Sequence, residues 1–493
     1  MNINNNNPAK YSDFSLQFIN GEWVSGSSSR SLENINPFNN DVLGTIQLAS
    51  CDDVDKAFHC AQSAQISWAK RDAAERIGYI EKILSILSNR KEEIIEWIIQ
   101  ESGSTRIKAT LEWQSTYALT KECMSYPDRV EGKMMSHPVN GKKSFVFREA
   151  LGVIGVISPW NFPLYLSIRS IFPALVLGNT VVVKPASDTP VTGALLIAKI
   201  LDEAGLPPGV FNVVVGSGSE IGDYFSAHKV PSLISFTGST DVGRNVGRIA
   251  TGGQYIKRIA LELGGNCPLV VLDDADLEAA VGAAVLGRFL HQGQICMSTN
   301  RIIVDKSLYA DFSEMFVKRV RNLKVGNPFE ADTIIGPIIN KQQLNGLLNK
   351  IKHADVSLEK LLGGEHQGQL LPPHIYGNVS NSHALAQDEI FGPVVSLIVA
   401  DNESHALQLA NDTEYGLSSA VFTSDMDRGI NFSRGIVAGM THINDITIDD
   451  QPNAPFGGEK NSGLGRFNGD YLVDEFTRTH WITWQKAHSN YPV

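Results

Sequence analysis

Cysteine is scarce in this chain. Five occur, Cys51, Cys60, Cys123, Cys267 and Cys296, an odd number at irregular spacing. With no C-x-x-C pair they suggest neither a disulfide framework nor a zinc pattern, and no metal site is expected. Free thiols persist in a reducing compartment, so the cytoplasm is the expected location. Positive charge is also short. Against 53 Asp and Glu stand 42 Lys and Arg, a net charge of -11. That balance argues against a general nucleic-acid or anionic-membrane partner. No apolar run is long enough to span a bilayer. The polar start "MNINNNNPAK" lacks the basic and apolar regions of a signal peptide. There is no tandem repeat, no low-complexity linker and no strict G-x-G-x-x-G fingerprint. "GSGSEIG" (216–222) comes nearest, with the wrong spacing.

What is present reads as alternating helix and strand. The 493 residues exceed what a single core holds, so two or three domains are expected. Apolar residues recur at helical spacing through 51–127, as in "RIGYIEKILSILSNRKEEIIEWIIQ". From residue 151 short β-rich runs appear, "LGVIGVIS", "TVVVKP", "FNVVVG" and "SLISFTG", each followed by turn residues and a helical segment. A second set, "PLVVLDD", "RIIVD", "VVSLIVAD" and "SSAVFTSD", follows Glu262. Strands alternating with helices imply parallel sheets covered on both faces, in two α/β units that meet near 262–268. The terminal "DEFTRTHWITWQ" reads as a lone strand that needs a partner sheet.

Several short stretches carry groups suited to chemistry. Cys296 sits among small and polar residues in "HQGQICMSTNR". A free thiol has a pKa of about 8.5, so little is thiolate at neutral pH, but that fraction is a strong nucleophile. Cys267, entering "CPLVVL", and Cys60, on a helix, read better as inert thiols. Glu262 closes the apolar strand of "IALELGGNCP". It is either a buried carboxylate fit to be a base or a solvated strand end. Asn161, in "SPWNFP", is either an oxyanion donor or a turn asparagine. Gly238, Ser239 and Gly243, in "ISFTGSTDVG", suit either a pyrophosphate at a helix N-terminus or an ordinary cap. Lys184, in "VVVKPAS", either meets a ribose or phosphate or is merely solvated.

In order along the chain, "SPWNFPLYLSIRSIFPALVLGNTVVVKPASDTP", "FTGSTDVG", "LELGGNCP", "GQICMSTNR", "EIFGPVV", "NDTEYGLSSAVFT" and "PFGGEKNSGLGR" resemble the aldehyde dehydrogenase superfamily. "NFPLYLSIRS" and the terminal "HWITWQ" are similar to its benzaldehyde and vanillin dehydrogenase branch. The resemblance implies an α/β fold of two parallel-sheet domains plus a small β oligomerisation arm. On that template 1–135 and 152–261 form the dinucleotide-binding domain and 262–465 the catalytic domain. Residues 136–151 and 466–493 form the arm, with a homodimer or homotetramer as its product.

It also implies roles. Cys296 matches the nucleophile, Glu262 the base and Asn161 the oxyanion donor. Ile157, Trp160, Lys184, Ser187, Gly238, Ser239, Gly243, Leu263, Glu389 and Phe391 match contacts to NAD or NADP. The substrate is an aldehyde, on this branch an aromatic one, oxidised to the acid. Tyr165, Arg169, Met297 and Phe456 either line its pocket or are ordinary packing. One position departs from the family. Where members that prefer NAD carry glutamate three residues after the lysine, this chain has Ser187, followed by Asp188. Rival readings are a cysteine hydrolase or acyltransferase, an aliphatic or semialdehyde dehydrogenase, and a form that passes the thioester to coenzyme A. The first needs a histidine base, and none of the twelve histidines lies in a Cys/His signature, although His291 is close in sequence.

Overall fold

The β-rich runs assemble into two separate sheets. The computed structural model describes residues 9–486 and 491. Residues 1–8 of the polar start, and 487–490, 492 and 493 of the expected arm, lie outside the described residues. Five parallel strands form the centre of the first, eight-stranded sheet. Their spatial order is Phe211–Val213, Thr180–Lys184, Val153–Ile157, Leu233–Thr237 and Arg258–Glu262. Alternation along one of them shows why it is buried on both faces. Val181 and Val183 join the core beneath helix Pro163–Val176, whereas Val182 joins Ala57, Phe58 and Ala61 of helix Cys51–Trp68 on the other side. Register aligns the carboxyl ends. Lys184, Ile157 and Phe236 stand side by side, and Thr237 stands beside Glu262.

The second sheet has seven strands. The expected runs supply Cys267–Val271, Thr299–Asp305, Val394–Ala400 and Ala420–Phe422, all parallel. Three further strands, Glu359–Leu362, His374–Gly377 and His442–Ile443, have too few residues to show a period in the sequence. Only residues 263–266 connect the last central strand of the first sheet to the first strand of the second.

A third sheet explains the lone terminal strand. Thr477–Gln485 pairs antiparallel with Lys142–Ala150 along its whole length, and Lys133–Met135 covers the far edge. This sheet therefore begins before residue 136, where the arm was expected to start. Similarly, Gly463–Leu464 pairs with Leu261 and Glu262 in the first sheet, although it falls in the range expected for the second domain. Backbone pairing, not chain order, decides both.

The helical region holds four helices, Cys51–Trp68, Ala73–Asn89, Lys91–Ser102 and Arg106–Cys123. The last carries a buried polar stripe at helical spacing, Lys108, Glu112, Thr116 and Thr120. No described helix is long and apolar enough to cross a membrane. In the glycine run 216–222, Gly218–Gly222 forms one wide helical turn, and a side chain at Gly216, just before it, would stand 2.3 Å from Ile221.

Candidate active site

A cleft of about 480 Å³ opens at the carboxyl ends of the first sheet, where open α/β sheets bind ligands. It brings together Cys296, Glu262, Asn161, Trp160, Gly238, Ser239, Leu263, Glu389 and Phe391 of the expected residues. Trp160 meets Phe391 edge-to-face, with ring centroids 5.3 Å apart. Ile157, Lys184, Ser187 and Gly243 are not on its wall. Ser158, Pro159, Ala186, Phe236, Val242, Gly264 and Gln343 are, although sequence reasoning passed over them. Val242 had a readable signal. It is an apolar side chain, 51% exposed, in the first turn of an otherwise polar helix face.

Cys296 reaches the cleft on a strained loop. His291, Gln292 and Gly293 are all left-handed, with φ of 50, 58 and 74°. Each non-glycine in that region costs about 1 to 3 kcal/mol, so the surroundings must hold it. Gln292 Nε2 does so by donating to the carbonyls of Pro337 (2.9 Å) and Gly103 (3.2 Å). Gly293 is required by packing as well as by φ, since a Cβ there would stand 2.4 Å from the Gly392 carbonyl oxygen. Cys296 is partly exposed, whereas Cys267 and Cys123 are buried.

Glu262 is no solvated strand end. It is 1% exposed, and its Oε2 lies 3.4 Å from Arg169 Nη2. Arg169 reaches Asp450 at 3.3 Å with its other nitrogen and lies between the rings of Phe456 (4.4 Å) and Phe467 (4.5 Å). Burial outweighs the guanidinium and raises the Glu262 carboxyl above its ordinary range. The Cys296 thiol is pushed well above the usual thiol range, first by burial and then by the charge and contact of Glu262. Each group therefore favours its protonated form, and the Glu262 carboxylate opposes a thiolate beside it. Tyr165, Met297 and Phe456 belong to the core around Cys296 and do not line the cleft.

The Asn161 side chain does not close its own turn. It is 5% exposed, and Nδ2 donates to the Gln294 carbonyl at 3.0 Å, across to the cysteine loop. An amide has two N–H groups, so this bond fixes the plane and leaves one donor over.

The remaining expected residues divide by position. Ser239 is the N-cap of helix Thr240–Gly252, and its side chain accepts from none of that helix's first N–H groups. Gly243 serves packing, because a Cβ would stand 2.2 Å from Leu263 Cδ2. Lys184 is buried. Its Nζ donates to the Pro185 carbonyl at 3.1 Å and has no carboxylate partner among the described residues. Burial alone pulls its pKa down to about 8. Ser187 and Asp188 line a neighbouring depression, where Asp188 accepts from Asn340 Nδ2 at 2.9 Å. Glu389 accepts from the Gly265 N–H at 2.9 Å, and burial raises it to about 7. Away from the cleft, ligand atoms of Asp55, His59 and His228 lie within 4.8 Å of one another. The His228 ring opposes a metal there. Its Nδ1 accepts from the Val230 N–H, so the hydrogen is assigned to Nε2, which donates to Asp55 at 2.8 Å.

The model of the aldehyde dehydrogenase family matches residues 23–482. The chain belongs to the aldehyde dehydrogenase family. It is 51% identical to a vanillin dehydrogenase of Corynebacterium glutamicum over 95% of this chain and 97% of that protein. It is 45% identical to a benzaldehyde dehydrogenase of Bacillus subtilis over 98% and 99% of the two chains. Among solved structures, an NAD-dependent benzaldehyde dehydrogenase from C. glutamicum superposes with a TM-score of 0.90 at 48% identity. That match covers 98% of this chain and 99% of the other. A betaine aldehyde dehydrogenase from Staphylococcus aureus in complex with NAD+ gives 0.93 at 31%, over 97% and 98%.

The contact between Glu262 and Cys296 has a measurable consequence. In the cofactor-free enzyme, alkylation of Cys296 is expected to keep accelerating above about pH 9, because the thiol titrates above its ordinary range. Glu262→Gln removes the charge and should move that titration downward. A rate that levels off below about pH 8 in the parent enzyme would contradict the pairing.

Proposed function

We propose that this aldehyde dehydrogenase oxidises aromatic aldehydes of the benzaldehyde and vanillin type to carboxylic acids, with NAD or NADP, through a thioester on Cys296. The observation that carries the chemistry is the convergence of the Cys296 thiol, the buried Glu262 carboxylate and the spare Asn161 N–H on one cleft. The names borne by the most similar relatives support the substrate class.

As sulfur approaches the aldehyde carbon, Glu262 accepts the thiol proton. The oxygen becomes an alkoxide held by the spare Asn161 N–H and the Cys296 backbone N–H. The carbon must then lose a hydride, for which a nicotinamide bound in this cleft would supply the acceptor. A thioester remains on Cys296. Glu262 gives its proton to solvent and then takes one from a water that attacks the thioester carbon; the carbon–sulfur bond breaks, the sulfur regains a proton and the acid leaves. The chain suits a dinucleotide in three ways. Among the described residues it offers helix N–H groups that the N-cap side chain leaves uncapped, a buried ammonium without a carboxylate partner, and the Glu389 carboxylate on the cleft wall. Residues 1–135 and 152–261 are assigned to its binding and 262–465 to catalysis. A Cys/His hydrolase finds no support, since His291 is fully buried beside Phe162 with burial keeping it neutral. Intact Glu262 favours hydrolysis over transfer to coenzyme A. A reducing cytoplasm suits five free thiols.

A panel of aldehydes with both cofactors tests this reading. kcat/KM for benzaldehyde and vanillin should exceed that for acetaldehyde by about tenfold or more, and equal values would contradict the aromatic assignment. NADP should not be strongly disfavoured. A carboxylate 4 Å from the 2′-phosphate would cost about 4 kcal/mol at an effective dielectric of 20. Ser187 carries no charge, and Asp188 is tied to Asn340. Ser187→Glu should shift preference toward NAD by about tenfold or more. Parent enzyme that rejects NADP by about a thousandfold would show another acidic group on the ribose.

The arm, 136–151 and 466–493, is assigned to assembly into a dimer or tetramer. Thr477–Gln485 is an edge strand that exposes Trp481 (61%) and Trp484 (48%), the kind of edge a second chain covers. Sedimentation of Trp481→Glu/Trp484→Glu should give monomer. An unchanged oligomer would refute the assignment.

A further inference from the structure

One buried ion pair is not explained by stability. Lys108 and Glu112, on helix Arg106–Cys123, are 0% exposed and lie 2.5 Å apart. Burying both charges costs several kcal/mol per ion before their attraction is counted, and a well-packed apolar pair is often no less stable. Their remaining bonds all lead to one place. Lys108 Nζ donates to the main-chain carbonyl of Asn161 at 2.6 Å and lies 4.0 Å from the centre of the Phe162 ring. Glu112 Oε1 accepts from the N–H groups of Leu164 (2.9 Å) and Tyr165 (3.2 Å). These belong to the first turn of helix Pro163–Val176, whose own N-cap, Phe162, has no capping side chain. The pair therefore holds the chain on both sides of Phe162. Lys108 fixes the peptide that carries Asn161, and Glu112 supplies the missing cap of the helix that follows.

Asn161 is held at both ends. Its side chain is anchored on the far side by the Gln294 carbonyl, on the strained cysteine loop. With one end tied to that loop and the other to Lys108, the spare N–H is aimed by two fixed points. An oxyanion donor acts through its placement, and small displacements are costly in rate.

We propose that Lys108 is a positioning residue for the oxyanion step, acting through Asn161, with Glu112 holding it in place. This rests on the oxyanion role given to Asn161 above. It predicts that removing the ammonium slows formation of the acyl-enzyme while leaving cofactor binding alone, and that the effect vanishes when the amide is already gone.

The test is a double-mutant cycle on the single-turnover burst of NADH, with NAD affinity measured separately by fluorescence. Lys108→Met should slow the burst by about tenfold or more and leave NAD affinity within about threefold. Asn161→Ala should slow it by about a hundredfold. In the Asn161→Ala background, Lys108→Met should cost less than about threefold further. Should Lys108→Met fail to fold because Glu112 is left charged and alone, Lys108→Met/Glu112→Gln takes its place. The glutamine oxygen still accepts from Leu164 and Tyr165, and no charge is stranded. Multiplicative losses in the cycle, or a burst within about threefold of the parent, would overturn the proposal. A burst unaffected by Asn161→Ala would overturn the oxyanion role itself, and the proposal with it.

Discussion

The cleft depends on a close approach that only glycine permits. Two sheets meet at residues 263–266, and there the backbone of one presses against the backbone of the other. A methyl group on Gly265 would stand 2.2 Å from the Cys296 carbonyl oxygen, and one on Gly264 would stand 2.6 Å from Glu389 Oε2. Neither contact can relax by moving a flexible side chain tip alone, since one partner is backbone and the other is held by the Gly265 N–H. Packing of this density fixes where Cys296 stands relative to Glu262, at the end of the strand just before the two glycines. The chemistry follows from that placement, because the carboxylate stands against the thiol and raises its titration.

Burial sets the electrostatics of the whole site. Glu262, Glu389, Cys296 and Lys184 are each displaced toward their neutral forms, and in every case desolvation is the first cause. Arg169 is the exception. It stays charged between two phenyl rings because Glu262 and Asp450 flank it. A low-dielectric site makes each fixed donor count for more when an oxyanion forms, which is why the aim of one asparagine amide matters. The same reasoning gives the buried Lys108–Glu112 pair a purpose beyond stability.

Much of this was legible in the sequence, where local chemistry and local pattern agree. The Val-rich runs became parallel strands, and the glycines after Glu262 marked the crossing between sheets. The cleft residues Cys296, Glu262 and Asn161 stood in recognisable motifs. Three things were not legible. Lys108 and Glu112 sit at i and i+4 on a helix, a spacing that on its own reads as a solvated ion pair, and only tertiary packing shows that this stripe faces inward. Gly243 suggested a phosphate approach, and its close packing on Leu263 is a tertiary contact that a strand-to-helix motif does not show. Ser187 was placed by counting from Lys184, and only the fold shows that Ala186 lines the cleft while Ser187 lines the adjoining depression.

The covalent route through Cys296 is the central claim, and the intact mass of one variant tests it most directly. Glu262→Gln keeps the shape of the base but cannot draw a proton from water, and it brings the thiol back toward its ordinary range. Mixed at about pH 8 with benzaldehyde and NAD, near that ordinary thiol range, it should release one NADH per site and then stop. The protein should gain the mass of one benzoyl group, lost on treatment with hydroxylamine and absent from Cys296→Ala/Glu262→Gln. Sustained turnover by Glu262→Gln with no mass added would contradict the account.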